Sequence, residues 1–199
     1  MKAHIKSTLL ALAIALPASG AWTVANEMLV LQPQSRLWID GTSSIRSFSC
    51  KAAEVNAAVE ATGPNAIPQL LIGDKGVKTV QVTVPAERLD CGNGTMNEHM
   101  RKAIKLAEHK SIEFRLTDYD VAKSADGIAG TINGTLLLGG VTKPITLKAD
   151  GKSEGGMLHI TGSYDLDMTA YGLKPPTLMF GRIKVGQTVK VNYDLLLKS

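Results

Sequence analysis

The chain has 199 residues, a net charge of +4, and is 20% charged and 44% hydrophobic. That length suits one ordinary domain plus a processing segment, and the balance of apolar to charged residues excludes a disordered chain. Aromatics at 5% argue against a stacking surface for single-stranded nucleic acid, and two cysteines are too few for a disulfide-built miniprotein or a four-cysteine zinc module.

Residues 1–25 have the layout of a secretory signal peptide. Lys2 and Lys6 make a positive start, Leu9 to Leu16 is an apolar run ended by Pro17, and small residues follow at Ala18-Ser19-Gly20-Ala21 and at Ala25. The run is shorter than the ~20 residues of a spanning helix. Cleavage is the expected outcome, and an N-terminal anchor is the alternative. No later stretch is long and apolar enough to span a bilayer as a helix. Cleavage removes two lysines, so the pI near 9.0 is a weak argument for nucleic acid. The remaining basic residues are scattered, without a stripe that would neutralise phosphates.

Export makes the cysteines readable. Cys50 and Cys91 are the only two, and an oxidising compartment favours a bridge between them. It would close a loop of about 40 residues and contribute roughly 4 kcal/mol in the chain-entropy model. Separate buried thiols or a metal pair are the rival readings.

The body alternates apolar and polar residues. Val80, Val82 and Val84 share one face, and Ile112, Phe114 and Leu116 another. Ile145, Leu147 and Ala149 repeat the pattern. So do Leu158, Ile160, Tyr164, Leu166 and Met168, and then Val189, Val191, Tyr193, Leu195 and Leu197. One wet and one buried face is the signature of antiparallel sheet. Asp126-Gly127, Gly139-Gly140 and Glu154-Gly155-Gly156 fall at hairpin spacing, while Asn133-Gly134 fits a turn or a bulge. The strands suit a sandwich or a barrel equally. One segment has helical period: Met96, Met100, Ala103, Ile104 and Ala107, opened by Thr95-x-x-Glu98 as a capping box.

Residues 169–186 break the alternation. Pro175 and Pro176 cannot serve a central strand, yet Tyr171, Leu173, Leu178, Met179 and Phe180 are apolar. They are candidates for a lid over an opening, with an ordinary loop folded on the core as the alternative. Lys174, Arg182 and Lys184 flank this segment and could meet an anionic head group.

Catalytic and metal motifs are absent from the sequence, and neither a catalytic nor a metal-binding set is assigned. His99 and His109 are ten residues apart, His159 sits on the polar side of a strand, and all three read as surface residues. The pairs Asp118/Asp120 and Asp165/Asp167 read as a solvated face.

The order of several short segments resembles the YceI-like family. They are Ser35-Arg36-Leu37-Trp38-Ile39, Phe48-Ser49-Cys50, Leu89-Asp90-Cys91-Gly92 before Met96-Asn97-Glu98-His99-Met100, Gly140-Val141-Thr142-Lys143-Pro144-Ile145, and Tyr171-Gly172-Leu173-Lys174-Pro175-Pro176. The resemblance implies an all-β domain over residues 26–199, an extended lipocalin-like antiparallel barrel of about eight strands with one short helix. It implies a periplasmic location and a polyisoprenoid or related long-chain lipid as partner, with no cofactor and no catalysis. On this reading Phe48, Val82, Met100, Ile104, Phe114, Leu116, Ile160, Tyr164, Met168 and Tyr193 are candidate wall residues of a ligand cavity. Small residues such as Ala52, Ala53, Ala57, Ala58, Gly130 and Ala149 would leave room for a ligand. The same faces also fit a core filled by its own side chains. That rival would make the protein a structural or interaction module, and a homodimer stays open.

Overall fold

The computed structural model describes residues 27–199. The expected signal peptide lies outside them. In chain order the strands are β1 (Met28–Leu31), β2 (Arg36–Thr42), β3 (Ser47–Ala52), β4 (Asn56–Ala61), β5 (Val77–Pro85), β6 (Leu89–Asp90), β7 (Ser111–Ser124), β8 (Gly127–Leu138), β9 (Val141–Glu154), β10 (Met157–Asp167), β11 (Thr177–Leu178), β12 (Ile183–Lys184) and β13 (Thr188–Lys198). Two helices interrupt them, α1 (Ala66–Leu71) and α2 (Gly94–Ala103).

Eight strands close into an antiparallel barrel in the order β1-β4-β5-β7-β8-β9-β10-β13, and β13 returns to β1. The closure resolves the choice between sandwich and barrel. β13 is shared. Its end at Leu197 and Lys198 pairs with β1, and its residues 190–194 pair with β2. β2 continues through β3 to the short β6. The barrel is therefore forked beside β13, with β1 and β4 at one end and β2, β3 and β6 at the other.

The three expected hairpins form at the three glycine-bearing turns. At Gly139-Gly140 and Gly155-Gly156 both turn residues have positive φ, the twist that matches right-handed strands. Asn133-Gly134 is not a turn. It lies inside β8, opposite a register shift between Leu116 and Asp118 of β7. That bulge reverses the alternation: Ile112, Phe114 and Leu116 face inward before it, and Tyr119 and Val121 after it. A Cβ on Gly134 would overlap the Phe114 ring.

Two expectations need correction. The helix is not alone: α1 has only six residues, with Pro68 inside its first turn, and is too short to show a period. Its Ala66, Ile67 and Leu70 are buried in one cluster with Leu29, Leu158 and Leu197, so α1 plugs one end of the barrel. The capping box is also replaced. Asn93 caps α2 by accepting a hydrogen bond from the Met96 amide at 3.1 Å, while Glu98 pairs with Lys102 at 2.8 Å. α2 ends at Ala103, before Ala107, and Lys105 follows with φ 58°. At this second end Ile104 packs in a cluster with Leu138, Leu166, Tyr171 and Leu173.

Candidate functional site

The inward faces of the barrel strands enclose a cavity of about 490 Å³, within the ~300–1,000 Å³ range of small-molecule sites. Every barrel strand contributes to its wall, from Leu31 of β1 to Leu197 of β13, and α2 adds Met96, His99, Met100 and Ala103. Alternation explains this. Each strand that turns polar residues outward must send its valines, leucines and isoleucines to the lumen.

Phe48, Val82, Met100, Ile104, Phe114, Leu116, Ile160, Tyr164, Met168 and Tyr193 all stand on this wall. Of the lid candidates, Leu173 and Leu178 reach the wall, but Tyr171, Met179 and Phe180 do not. Tyr171 is 2% exposed and Leu173 3%, so both are core residues, Tyr171 as the last residue of a short 3-10 turn and Leu173 just beyond it. Met179 and Phe180 point to solvent at the tip of the β11–β12 hairpin. The 169–186 segment is thus part core and part exposed hairpin. It is also tied down: the Ser44 amide donates to the Lys184 carbonyl at 2.9 Å and the Gly186 amide to the Thr42 carbonyl at 2.8 Å.

The small residues divide in the same way. Ala57, Gly130 and Ala149 line the cavity, whereas Ala52, Ala53 and Ala58 do not. The sequence reading missed Ser43, Ile45 and Arg46, which line the mouth from the turn between β2 and β3. Turns carry no alternation, so no periodic signal marks them. It also missed wall residues such as Val80, Ile132 and Leu147, which the alternation itself would have supplied.

Two of the phenols near the lumen, Tyr193 and Tyr119, spend their polar ends on backbone. Tyr193 donates from Oη to the Lys148 carbonyl at 2.6 Å, crossing Gly162, where a Cβ would collide with it. Burial pushes its pKa up to about 12, with Asp150 adding to the shift. Tyr119 Oη accepts from the Val77 amide at 2.9 Å. The lumen therefore meets ring carbon at these positions rather than hydroxyl. Burial also pushes Tyr171 up to about 12, and its Oη has no hydrogen-bond partner among the described residues.

Cys50 and Cys91 form a disulfide, which excludes the free-thiol and metal-pair readings. Both cysteines touch the cavity wall, and the bridge ties β3 to the approach to α2. The histidines do not converge. His99 stands on the cavity wall, and the His109 ring lies against Gly140. His159 is on the outer face, between Glu154 at 2.8 Å and Asp194 at 2.7 Å, and is 17% exposed rather than a free surface group. The aspartates are engaged outside the lumen in part: Asp118 pairs with Lys75 and Asp167 accepts from the Thr169 amide. Among the described residues no helix is long and apolar enough to cross a membrane.

Comparison with known proteins places this geometry. The family model of the YceI-like domain matches residues 38–197. Burkholderia cenocepacia BcnA superposes with a TM-score of 0.61 at 12% identity, covering 81% of this chain and 95% of BcnA. A polyisoprenoid binding domain from Saccharophagus degradans, implicated in plant cell wall breakdown, superposes with a TM-score of 0.58 at 13% identity, covering 86% of this chain and 97% of that one. A UPF0312 protein of Serratia proteamaculans is 33% identical over 76 residues, and the match spans 38% of this chain and 38% of that relative's length. With its barrel closed as in these structures and the family model matched along most of its length, the chain belongs to the YceI-like family.

Proposed function

We propose that the protein is an exported, non-enzymatic carrier that holds the tail of a long isoprenoid lipid, of polyprenyl or quinone type, inside its barrel in the periplasm. The observation that carries this reading is the continuous apolar cavity of about 490 Å³. A barrel filled by its own side chains would leave no such space. The named polyisoprenoid-binding neighbour supports the ligand class, and the Cys50–Cys91 bridge suits an oxidising compartment.

The driving force is burial. At roughly 0.8 kcal/mol per buried methylene, a five-carbon isoprene unit gains on the order of 4 kcal/mol, before the costs of immobilising the chain. Phe48, Val82, Phe114, Leu116, Ile160, Tyr164 and Tyr193 supply contact along the strands, and Ile104 beside the end of α2. Met100 and Met168 add flexible thioethers that adapt to a bent chain. Leu173 and Leu178 cover the tail near the mouth, and Lys174, Arg182 and Lys184 meet the polar end.

Filling the lumen tests the reading. Ala57→Trp and Ala149→Trp each put an indole where the wall is lowest. Titration with a fluorescent polyprenyl analogue is expected to show at least ten-fold weaker binding in both, with an unchanged far-ultraviolet spectrum. Equal affinity in the filled variants contradicts a ligand in the lumen.

A further inference from the structure

The mouth of the cavity carries a feature that lipid binding alone does not require. Phe180 is 109% exposed, and Met179 and Ile45 are each 65% exposed. Three large apolar side chains in water on one rim are unusual, because exposed apolar surface generally marks an interaction site. Met179 and Phe180 also have left-handed backbone, with φ of 50° and 57°. Non-glycine residues adopt this conformation at a cost, and two in succession at one tip hold both side chains outward.

These residues are adjacent in space. Ser43 bridges to Val185, the Ser44 hydroxyl donates to the Arg182 carbonyl at 3.3 Å, and the Lys184 amide donates to that hydroxyl at 3.2 Å. The turn bearing Ile45 therefore lies against the hairpin bearing Met179 and Phe180. Ile45, Arg46, Leu178 and Ile183 line the cavity itself, so the patch runs into the lumen without interruption.

The two chain segments that form the patch carry charge of one sign, and Glu98 of the neighbouring α2 is neutralised by Lys102. Between Asp40 and Glu54 the only charges are Arg46 and Lys51, and between Asp167 and Asp194 they are Lys174, Arg182, Lys184 and Lys190. Arg46, Lys174, Arg182 and Lys184 are exposed, and among the described residues none of them makes an ion pair with a carboxylate. Several exposed cations elsewhere are neutralised instead: Lys75, Arg88 and Lys102 each face an acidic partner.

We propose that this rim is a membrane-docking surface, with Ile45, Met179 and Phe180 entering the interface of an anionic bilayer while Arg46, Arg182 and Lys184 meet its phosphates. The apolar tip and the cationic ring match the two layers of a lipid surface, acyl chains below and charged head groups above. Docked in this way, the cavity mouth faces the bilayer, and an apolar chain can pass between them without crossing water. The inference goes beyond the cavity's ligand and stands on the rim alone.

Sedimentation of the full mature protein with sucrose-loaded vesicles tests it. The vesicles are phosphatidylcholine alone or phosphatidylcholine with 30% phosphatidylglycerol, and no cavity ligand is added. Selective binding to the anionic vesicles is expected, weakening as salt is raised. Met179→Ser with Phe180→Ser is expected to lower partitioning at least ten-fold. Each of Arg46→Gln, Arg182→Gln and Lys184→Gln is expected to lower it about five-fold. These side chains are in solvent, so unfolding is not expected, and an unchanged melting temperature verifies that. Equal binding to both vesicle types, or serine and glutamine variants that bind like the parent, overturns the proposal. So does a dimer in sedimentation equilibrium that Phe180→Ser dissolves and vesicles do not disrupt, since the patch would then seat a second copy. Binding of the polyprenyl analogue in detergent by the Met179→Ser/Phe180→Ser variant, whose two changed residues do not line the cavity, reads the cavity separately, so failure of one reading is not failure of the other.

Discussion

At the residue scale, the outer face of the barrel is organised around Asp194. Arg36 pairs with its carboxylate from across the β2–β13 ladder, and His159 reaches it from β10. The Arg36 guanidinium, with help from His159, holds the Asp194 carboxyl below the usual carboxylate range despite its partial burial. A depressed native pKa means that the unfolded chain takes up the proton first. The stabilisation is therefore complete above the ordinary aspartate value near 4 and is lost as pH falls through the native one. Asp194→Asn should lower the melting temperature by several degrees at pH 7, with the gap to the parent closing below about pH 4. A gap that is the same at pH 7 and pH 3 would remove Asp194 from the acid response. None of this was legible in the sequence. Alternation placed His159 on the wet face correctly, but partners 5 and 35 residues away along the chain depend on register.

At the element scale, what could be read and what could not divide along physical lines. The hairpins from β7 to β10 were legible because their glycine turns and two-residue period are local properties. From β1 to β6 only β5 was legible, through Val80, Val82 and Val84, because the barrel forks there and the other strands are short. β6 has two residues, too few for any period. α1 was missed for the same reason, and its role as a plug arises only when β1, β10 and β13 surround it. The bulge in β7 shows the converse. The Asn133-Gly134 pair signals a turn locally, yet the paired strand absorbs it. The disulfide acts at this scale also. It is expected to contribute about 4 kcal/mol through the unfolded state. Replacing Cys50 and Cys91 together by serine should lower the denaturant midpoint accordingly, with faster amide exchange in α2 than in β8 to β10. An unchanged midpoint would make the bridge redundant to the fold.

At the scale of the whole molecule, a single architecture sets both the container and its opening. Closing eight strands forces one set of side chains inward, and that set is too small to fill the space at Ala57, Gly130 and Ala149. α1 seals one end. At the other end α2, the β2–β3 turn and the β11–β12 hairpin surround the mouth, and the hairpin's apolar tip projects beyond it. Val82, Phe114, Leu116, Ile160, Tyr164 and Tyr193 could be named from alternation because a barrel converts period directly into direction, whereas Met100 and Ile104 rest on the helical period and Phe48 on neither. The lid could not be read so well: apolar content alone does not separate Tyr171 and Leu173, which are core, from Met179 and Phe180, which are in solvent. That distinction needs the 3-10 turn at Met168–Tyr171 and the β11–β12 pairing.

The central claim is that the cavity holds an isoprenoid lipid. Native mass spectrometry of the mature protein, purified from its own compartment without detergent, tests it most directly, with organic extraction of the same sample. The account predicts a discrete added mass that leaves with the solvent and fragments in five-carbon steps. A clean mass of the polypeptide alone, unchanged after incubation with polyprenyl lipids and quinones, would contradict it.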